Sequence, residues 1–401
     1  MSAANGANKH YFSALETEHS ALIRWLFDKA LPLWSDRGVD ANAGGFYEEL
    51  AQDGSVINGP RRTRLVARQI FVFATAADMG WQDTRTADNL VNHGLDFLLG
   101  KCLSGSGPVF SVVSSNGAPL KPDFDLYDHA FALFALGNAA RLGHRRQEVI
   151  AAGRTIKGAM LAGWKHPVAG FEEAIPPREP LNSNPHMHLL EAFLEWEQMG
   201  DNDGWAELSD EIESLALSRF IDPETGGVRE HFDHNWCPAS GESGQLLEPG
   251  HQFEWSWLLL RWAVARGRSD TFSTARRLAE VGEKYGVNEA TRLAIDGIWA
   301  DLSARDRRSR LWPQTERIKS HLAMADLAEN EESKQISILL AAEAARGLRR
   351  YFETDLAGLW HETLDEMGRP VSAPAKASSL YHITCAIREL DSYVRQHSSH
   401  G

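Results

Sequence analysis

Cysteine is scarce in this chain, and its few copies form no functional pattern. Cys102, Cys237 and Cys385 are the three cysteines among 401 residues, and no two of them form a CxxC pair. An odd, widely spaced set predicts neither a disulfide framework nor a thiolate metal site, and it is typical of a reducing compartment. The first ten residues lack the apolar core of a signal peptide, so we expect a cytoplasmic protein.

Long hydrophobic runs and positive charge are also in short supply. No apolar run reaches the roughly 18 residues of a membrane span, so we expect no membrane association. The chain has 41 basic and 55 acidic residues and a formal charge of −14, which argues against nucleic acid as a partner. It contains no Gly-rich nucleotide loop and no HExxH motif. We therefore expect neither a metal nor another cofactor.

Helical periodicity dominates the rest of the chain. Apolar residues recur at intervals of three and four over most long segments, which is the pattern of amphipathic helices. The predicted helices cover residues 10–34, 62–80, 84–103, 126–143, 146–162, 185–200, 203–219, 251–267, 270–286, 289–304, 316–329, 331–351 and 376–395.

Short segments, here called stations, separate several of the helix pairs and resemble one another. Four clear stations are rich in glycine: 44–48 (GGFYE), 170–173 (GFEE), 226–230 (GGVRE) and 358–362 (GLWHE). Two weaker ones are 107–110 and 309–312. Six hairpins, each with an extended turn, close into a ring when each buries its apolar face against its neighbours. We therefore predict an all-α (α/α)6 barrel forming one domain, residues 1–401, with an open helical solenoid as the alternative.

The segment 248–262 carries the strongest functional signal. It begins with a Pro-Gly turn, continues as an apolar helix with three tryptophans, and places His251 and Glu254 on one helix face. Aromatic faces cover the C–H surface of a sugar ring, while a titratable pair at a helix start transfers protons. The alternative is that His251 is a hydrogen-bonded core histidine and that the tryptophans only pack. The 13 tryptophans of the chain favour a carbohydrate or an aromatic ligand.

Other polar residues lie at the starts of successive predicted helices. Arg64 and Arg68 share a helix face, where a guanidinium can bind sugar hydroxyls or an enediolate oxygen. His186 and His188 diverge on a helix, which disfavours a shared metal, and His188 lies in register with Glu191. Salt-bridged surface, helix caps and core packing are the alternative interpretations. In a closed ring, one side chain from nearly every hairpin converges on a central funnel: Arg68, Tyr127, His188, His251, Trp312 and His382.

Together these pieces resemble the N-acylglucosamine 2-epimerase superfamily of sugar isomerases and epimerases, and within it the bacterial mannose isomerases. The matching motifs are Ala67-Arg-Gln69, Asn184-Pro-His-Met-His-Leu-Leu-Glu-Ala192, Glu230-His-Phe-Asp233, Pro249-Gly-His-Gln-Phe-Glu-Trp255, Trp312-Pro313 and Tyr381-His382. The resemblance implies a metal-free (α/α)6 barrel with His251 and His382 as the proton-transfer pair. The residues that it implies around the sugar, with Asn184 and Glu191 added from the second motif, are Arg68, Tyr127, Asn184, His188, Glu191, Glu254 and Trp312.

The resulting hypothesis is an aldose–ketose isomerase that interconverts D-mannose and D-fructose through a cis-enediol. His251 and His382 exchange the C2 proton, and Glu254 fixes the tautomer of His251. Arg68 and His188 stabilise the charge that develops on O1 or O2. Which of the two histidines acts at C2 is left open.

Three other functions also stay open. A sugar 2-epimerase of the N-acylglucosamine, mannose or cellobiose type uses the same intermediate and returns the proton to C2. A glycoside hydrolase on the same fold needs two carboxylates, for which Glu254 with Glu191 or Asp233 is available. The third is a non-enzymatic interaction role.

The expected partner is a small monosaccharide, and the chain is expected to be a monomer or a homodimer. Phosphorylated sugars are less expected, because only Arg64 and Arg68 lie near the proposed funnel.

Overall fold

A computed structural model describes residues 2–81, 84–200 and 203–398, and these residues contain thirteen α-helices. The helices are α1 (Ser2–Trp25), α2 (Leu31–Arg37), α3 (Thr63–Asp78), α4 (Thr84–Phe97), α5 (Leu126–Arg141), α6 (Arg146–Gly163), α7 (Ser183–Glu197), α8 (Trp205–Leu215), α9 (Pro249–Arg266), α10 (Phe272–Gly286), α11 (Trp312–Asp326), α12 (Glu331–Arg349) and α13 (Ala377–Ser398).

The helices form two concentric rings. In the inner ring, α3, α5, α7, α9, α11 and α13 each contact the next, and α13 returns to contact α3. The outer partners α4, α6, α8, α10 and α12 each pack on the inner helix that precedes them, while α1 packs on α12 and α13. The sixth hairpin is thus completed by the first and last helices of the chain. The predicted (α/α)6 architecture is confirmed.

Inner and outer helices differ in how completely they are buried. Every residue of α9 from Pro249 to Leu260 is buried, whereas α10 buries one stripe and exposes the opposite face. A helix surrounded by neighbours is apolar on all sides, and one at the surface is amphipathic. Polar side chains on the inner helices are therefore enclosed by the barrel.

Thirteen short strands in the described residues form small antiparallel sheets. They are β1 (Glu49–Leu50), β2 (Val56–Ile57), β3 (Arg61–Arg62), β4 (Val112–Val113), β5 (Pro119–Lys121), β6 (Leu181–Asn182), β7 (His231–Phe232), β8 (Leu246–Leu247), β9 (Gly297–Trp299), β10 (Ala304–Asp306), β11 (Ser309–Arg310), β12 (Thr363–Leu364) and β13 (Ala375–Lys376). The sheets have the orders β13-β1-β2, β3-β4-β5, β6-β7, β8-β9-β10 and β11-β12. Strands β3, β6, β8, β11 and β13 lead into inner helices, so the sheets lie at the end of the barrel where those helices start.

Six stations are present, but the fifth is not where the sequence pattern predicted it. Each station forms a short antiparallel or parallel bridge next to a residue of positive φ. At the fifth station that residue is Arg292, with φ 57°, and Ala294 bridges Val287. The predicted station at 309–312 is instead β11 and the first residue of α11. Because the left-handed position is occupied by arginine rather than glycine, the glycine pattern missed it.

The predicted helix over 289–304 is wrong for a related reason. This segment contains the fifth station followed by the β9–β10 hairpin, and Leu302 in the connecting turn has φ 68°. Ile298 pairs with Leu247 of β8 and with Ala304 of β10. The apolar spacing that predicted a helix thus belongs to a strand at the barrel mouth.

Glutamates at the ends of the four clear stations anchor the inner helices. Each carboxylate accepts a hydrogen bond from the backbone N–H of the residue that directly precedes an inner helix, which satisfies an exposed donor at that end. The pairs are Glu48 with Arg62, Glu173 with Asn182, Glu230 with Glu248 and Glu362 with Lys376. The stations therefore fix the positions of the helix starts, from which the site residues project.

Candidate active site

All six inner helices contribute side chains to one cavity at the barrel mouth. Its volume is about 240 Å³, which is below the range of roughly 300–1,000 Å³ usual for drug-sized ligands. The lining residues are Arg68, Tyr127, Asn184, His188, Glu248, His251, Glu254, Arg310, Trp312, Glu362, Lys376, Ser378, Ser379 and His382. Side chains from successive hairpins therefore meet in one cavity, as expected for a closed ring.

Eight of the nine residues predicted for the site line this cavity, and Glu191 does not. Its carboxylate lies beneath the floor, 1% exposed, where it accepts a hydrogen bond from the Tyr381 hydroxyl at 2.5 Å. It also lies 3.3 Å from Nδ1 of His188. Glu191 is therefore placed to orient His188 rather than to touch a ligand. Tyr381 lies in the Tyr381-His382 motif, but no local feature of the sequence indicates its contact with Glu191 of α7.

The orienting partner of His251 is Glu230 and not Glu254, so the predicted role of Glu254 is wrong. Nδ1 of His251 lies 2.8 Å from Oε2 of Glu230, which is the last residue of the fourth station. Both side chains are almost fully buried. Glu230 also accepts from the backbone N–H of Glu248. One carboxylate thus fixes both the start of α9 and the histidine in its first turn.

His382 has an equivalent partner from the neighbouring helix. Its Nδ1 lies 2.9 Å from Oε1 of Glu316 in α11. The other oxygen of Glu316 forms an ion pair of 2.5 Å with Lys319, and neither of these side chains is exposed. Glu316 and Lys319 fall in a segment that was predicted to be helical, but no sequence motif singled them out.

The two histidines have opposite electrostatic environments. Burial by itself lowers the pKa of His251, but the carboxylates of Glu230 and Glu248 raise it to about 9. Burial lowers the pKa of His382 well below its usual value, and the nearby cations Arg68 and Lys319 lower it further. At neutral pH His251 is therefore protonated and His382 is neutral.

Trp312 lies between the two histidines. Its ring centroid is 4.9 Å from that of His251 and 5.8 Å from that of His382. The indole also lies against Gly250, where an added Cβ would approach it to 2.4 Å. Trp312 thus packs against both imidazoles at the cavity.

Arg68 and Arg64 diverge, although they were predicted to point to the same place. Arg64 is paired with Asp128 at 3.1 Å, whereas Arg68 donates to the Tyr127 hydroxyl at 2.8 Å. The Arg68 guanidinium stacks over Phe131 at 4.1 Å and is 6% exposed. Among the described residues it has no carboxylate partner, so its charge is directed to the cavity.

Glu254 is a buried acid without a hydrogen bond. Neither carboxyl oxygen has a partner among the described side chains and backbone, and Nδ1 of His188 is 3.9 Å away. Burial, together with the nearby carboxylates of Glu316 and Glu191, raises the pKa of Glu254 well above its usual value. Glu254 therefore carries a proton that it can donate in a hydrogen bond to a ligand.

A second cavity of about 360 Å³ adjoins the first and is predominantly acidic. The two share Tyr127, Asn184, Glu248 and His251. The further residues of this second lobe include Arg64, Asp125, Glu173, Asn182, Glu230 and His231. Because carboxyl groups outnumber cations here, the lobe suits neutral hydroxyl-bearing groups better than anions.

Four charged residues around the mouth were not anticipated from the sequence. Arg310 is paired with Glu248 at 2.7 Å and with Asp296. Glu362 accepts from the Lys376 backbone N–H at 2.8 Å. Arg310, Glu248 and Lys376 each lie one or two residues before an inner helix. Their position just before an inner helix is a feature of the sequence from which their place at the cavity could have been predicted.

Two clusters in this region have the composition of a metal site, and each contains carboxylates and a histidine within 4.8 Å. They are His188 with Glu191 and Glu254, and His251 with Glu230 and Glu248. In both clusters Nδ1 of the histidine already faces a carboxylate at hydrogen-bond distance. Such pairing also orients an imidazole for proton transfer.

Among the described residues, no helix is long and apolar enough to cross a membrane.

Comparison with known proteins places the chain in a family. Residues 45–386 match the family model described as N-acylglucosamine 2-epimerase (GlcNAc 2-epimerase). A Rhizobium meliloti protein named mannose-6-phosphate isomerase is 42% identical over 94% of this chain and 97% of its own length. A Thermobifida fusca D-mannose isomerase is 26% identical over 72% of this chain and 73% of its own length.

Solved structures agree with this assignment at the level of the fold. A cellobiose 2-epimerase from Bacillus thermoamylovorans superposes with a TM-score of 0.83 at 18% identity, covering 95% of this chain and all of the other. A D-mannose isomerase gives a TM-score of 0.80 at 19% identity, covering 94% and 97%. The chain belongs to the N-acylglucosamine 2-epimerase family of sugar epimerases and isomerases.

Proposed function

We propose that this protein is an aldose–ketose isomerase that interconverts D-mannose and D-fructose, with His382 as the base and His251 as the acid. The observation that carries the proposal is the pairing of His251, which is protonated, with His382, which is neutral, at one cavity, where each is held by its own glutamate. General acid–base transfer between adjacent carbons needs such a pair. Relatives named D-mannose isomerase support the choice of reaction and sugar.

The first half of the reaction forms the enediol. Nε2 of His382 takes the proton from C2 of open-chain mannose, and the electrons of that C–H bond form the C1–C2 double bond. The electrons of the C1 carbonyl move to O1, which takes a proton from His251. Neutral His382 is able to act as the base because its Nδ1–H is held by Glu316, which leaves Nε2 unprotonated.

The second half returns both protons to the sugar at new positions. His382 gives its proton to C1, and the O2 hydroxyl gives its proton to His251 as the C2 carbonyl forms. Each histidine ends in its starting state. Arg68, which lacks a carboxylate partner, and the protonated carboxyl of Glu254 stabilise the oxygen charge that develops between these steps.

A 2-epimerase is the alternative that uses the same residues. There, His251 would deliver its proton to C2 on the face opposite to His382 instead of to O1. The relatives named mannose-6-phosphate isomerase and D-mannose isomerase favour isomerisation, and those named cellobiose 2-epimerase keep epimerisation as the second reaction to test.

D-Mannose 6-phosphate is a second candidate substrate, because the relative that is 42% identical is named for it. The cavity offers limited charge for a phosphate. Arg310 is occupied by two carboxylates, and the second lobe is acidic. The side chain of Lys376, like that of Arg68, forms no ion pair among the described residues, but the carboxylate of Glu362 lies near its charge. These charges favour the free sugar.

Proton NMR in heavy water tests the proposal with both sugars in parallel, in the presence of a chelator. We expect D-mannose to give D-fructose that carries deuterium at C1. Glucose with deuterium at C2 would instead assign a 2-epimerase. Conversion of only the phosphorylated sugar would establish the second candidate, and no exchange in either sugar would contradict the proposal.

A further inference from the structure

Lys319 is a fully buried cation beneath the cavity that the proposed reaction does not use. It lies in α11, one turn after Glu316, and its side chain is 0% exposed. Its Nζ is 2.5 Å from Oε2 of Glu316, 3.8 Å from the centre of the Trp257 ring and 3.9 Å from Sγ of Cys385. A lysine is almost never buried so completely unless a charge partner requires it.

We propose that Lys319 is the positioning residue that keeps Glu316 ionised and thereby sets the tautomer of His382. Glu316 lies between the other two residues. Its Oε2 pairs with Nζ of Lys319, and its Oε1 lies at hydrogen-bond distance from Nδ1 of His382. Lys319 does not line the cavity, so it can act on a ligand only through the residues that do. The proposal rests on the proposed function only in treating His382 as the base.

The physical reason is the burial of the carboxyl group. Burial raises the pKa of Glu316, and the charge of Lys319 is the largest influence that lowers it. An ionised Glu316 can only accept a hydrogen bond, so Nδ1 of His382 must carry the proton and Nε2 is free to act as a base. A protonated Glu316 would donate to Nδ1, and Nε2 would then carry the hydrogen that faces the sugar.

Replacing Lys319 is therefore expected to change the tautomer and the rate together. In Lys319→Met, we expect the kcat to fall roughly a hundredfold or more, because a histidine in the wrong tautomer can cost about ten-thousandfold. We expect the KM to change by less than about threefold, since no group that contacts the sugar is removed.

Arg317→Met provides a matched control on the same helix. Arg317 is also fully buried and paired with carboxylates, at 2.7 Å from Glu343 and 3.0 Å from Glu283, but it faces the outer ring. We expect this variant to lose stability and to retain its kcat. A structural role for Lys319 would give the two variants the same phenotype.

The test is nitrogen-15 NMR of the histidine side chains in the full chain without substrate. The resonances of His382 are identified as those that are missing from the spectrum of His382→Gln. In the wild type at neutral pH, we expect His382 to carry its proton on Nδ1. In Lys319→Met, we expect the proton on Nε2. An unchanged tautomer in this variant, or Nε2–H in the wild type, would overturn the proposal.

If Lys319→Met does not fold, a double variant replaces it. Lys319→Met with Glu316→Gln removes both charges, so no unpaired charge is left in the core. We expect its kcat to match that of Glu316→Gln alone, and a further drop of tenfold or more would overturn the proposal. Because the NMR readout needs no substrate, a protein that fails to convert mannose would contradict the proposed function without affecting this result.

Discussion

His251 and His382 have nearly the same local geometry and opposite protonation. Nδ1 of His251 is 2.8 Å from Glu230, and Nδ1 of His382 is 2.9 Å from Glu316. Yet the pKa of His251 is raised to about 9, whereas the pKa of His382 is lowered well below its usual value. The hydrogen-bonded glutamate alone therefore does not decide which imidazole is charged.

The difference arises from the groups around each pair. His251 is near the additional carboxylate of Glu248, which favours the imidazolium. The other histidine is near the cations of Arg68 and Lys319, which disfavour it. Surrounding charges thus convert two similar pairs into an acid and a base, which is how one site performs both proton transfers at one pH.

The largest expected effect comes from removing the histidines themselves. We expect His382→Gln and His251→Gln each to lower the kcat for D-mannose by roughly 10²–10⁴-fold, which is the usual contribution of a general acid or base. His382→Gln should also stop exchange of the C2 proton with solvent deuterium. Steady-state kinetics and proton NMR measure the two effects.

His186→Gln is the control for these variants. His186 is fully buried, accepts from the backbone N–H of Phe171 at 3.1 Å and lies 3.1 Å from the Asn182 carbonyl. We expect a lower melting temperature and a nearly unchanged kcat. Retained activity in either cavity-histidine variant would remove that residue from the mechanism.

A smaller effect is expected when one carboxylate beside His251 is neutralised. In the wild type, the kcat should fall as the pH rises through about 9, where His251 loses its proton. Glu230→Gln removes a charge that favours the imidazolium, so the alkaline limb of the pH profile should move to lower pH by at least about one unit. The pH dependence of the kcat between pH 6 and 10 measures this shift.

Glu48→Gln is the matched control for Glu230→Gln. Glu48 ends the first station and accepts from the Arg62 backbone N–H at 2.7 Å, but it has no contact with either cavity histidine among the described interactions. We expect it to leave the alkaline limb in place. Equal shifts in both variants would mean that the glutamates act only on the fold.

The smallest effect is expected at Asn184. Its Oδ1 is buried at the cavity and has no hydrogen-bond partner among the described residues, so it can accept one hydrogen bond from a sugar hydroxyl. Losing one such bond costs about 0.5–1.5 kcal/mol, so Asn184→Ala should raise the KM by up to about tenfold. Asn138→Ala, at a buried asparagine that bonds Glu195 instead, should leave the KM unchanged. Equal KM values in all three proteins would contradict a contact between Asn184 and the sugar.

The ring of helices was predictable because its signals are local and repeated. Apolar periodicity predicted all of the long helices, and the helix that it predicted over 289–304 is the one that the structure lacks. Glycines such as Gly170 and Gly226, which take positive φ, marked the stations. The fifth station was missed because Arg292 takes that conformation, which arginine seldom does. Its turn is closed by a hydrogen bond from the Arg292 N–H to the Asn288 carbonyl and by the bridge between Val287 and Ala294, and apolar periodicity contains neither contact.

The residues lining the cavity were more predictable than their partners. His251 and Glu254 share a helix face, so spacing alone placed both at the cavity. The partner of His251, however, is Glu230, which comes from a different station, 21 residues earlier. Likewise Glu316 of α11 contacts His382 of α13 only because these two helices meet when the ring closes. Contacts of this kind depend on the closed barrel.

The most direct test of the opposite protonation states is a pH titration of the histidine carbon-13 shifts in the wild-type protein. Two resonances are identified by their absence in His251→Gln and His382→Gln. We expect the His251 resonance to titrate near pH 9 and the His382 resonance to remain that of a neutral imidazole from pH 9 down to well below 6.5. If both resonances titrate together near pH 6.5, the surrounding charges do not make the pKa values of the two histidines different, and the assignment of acid and base is wrong.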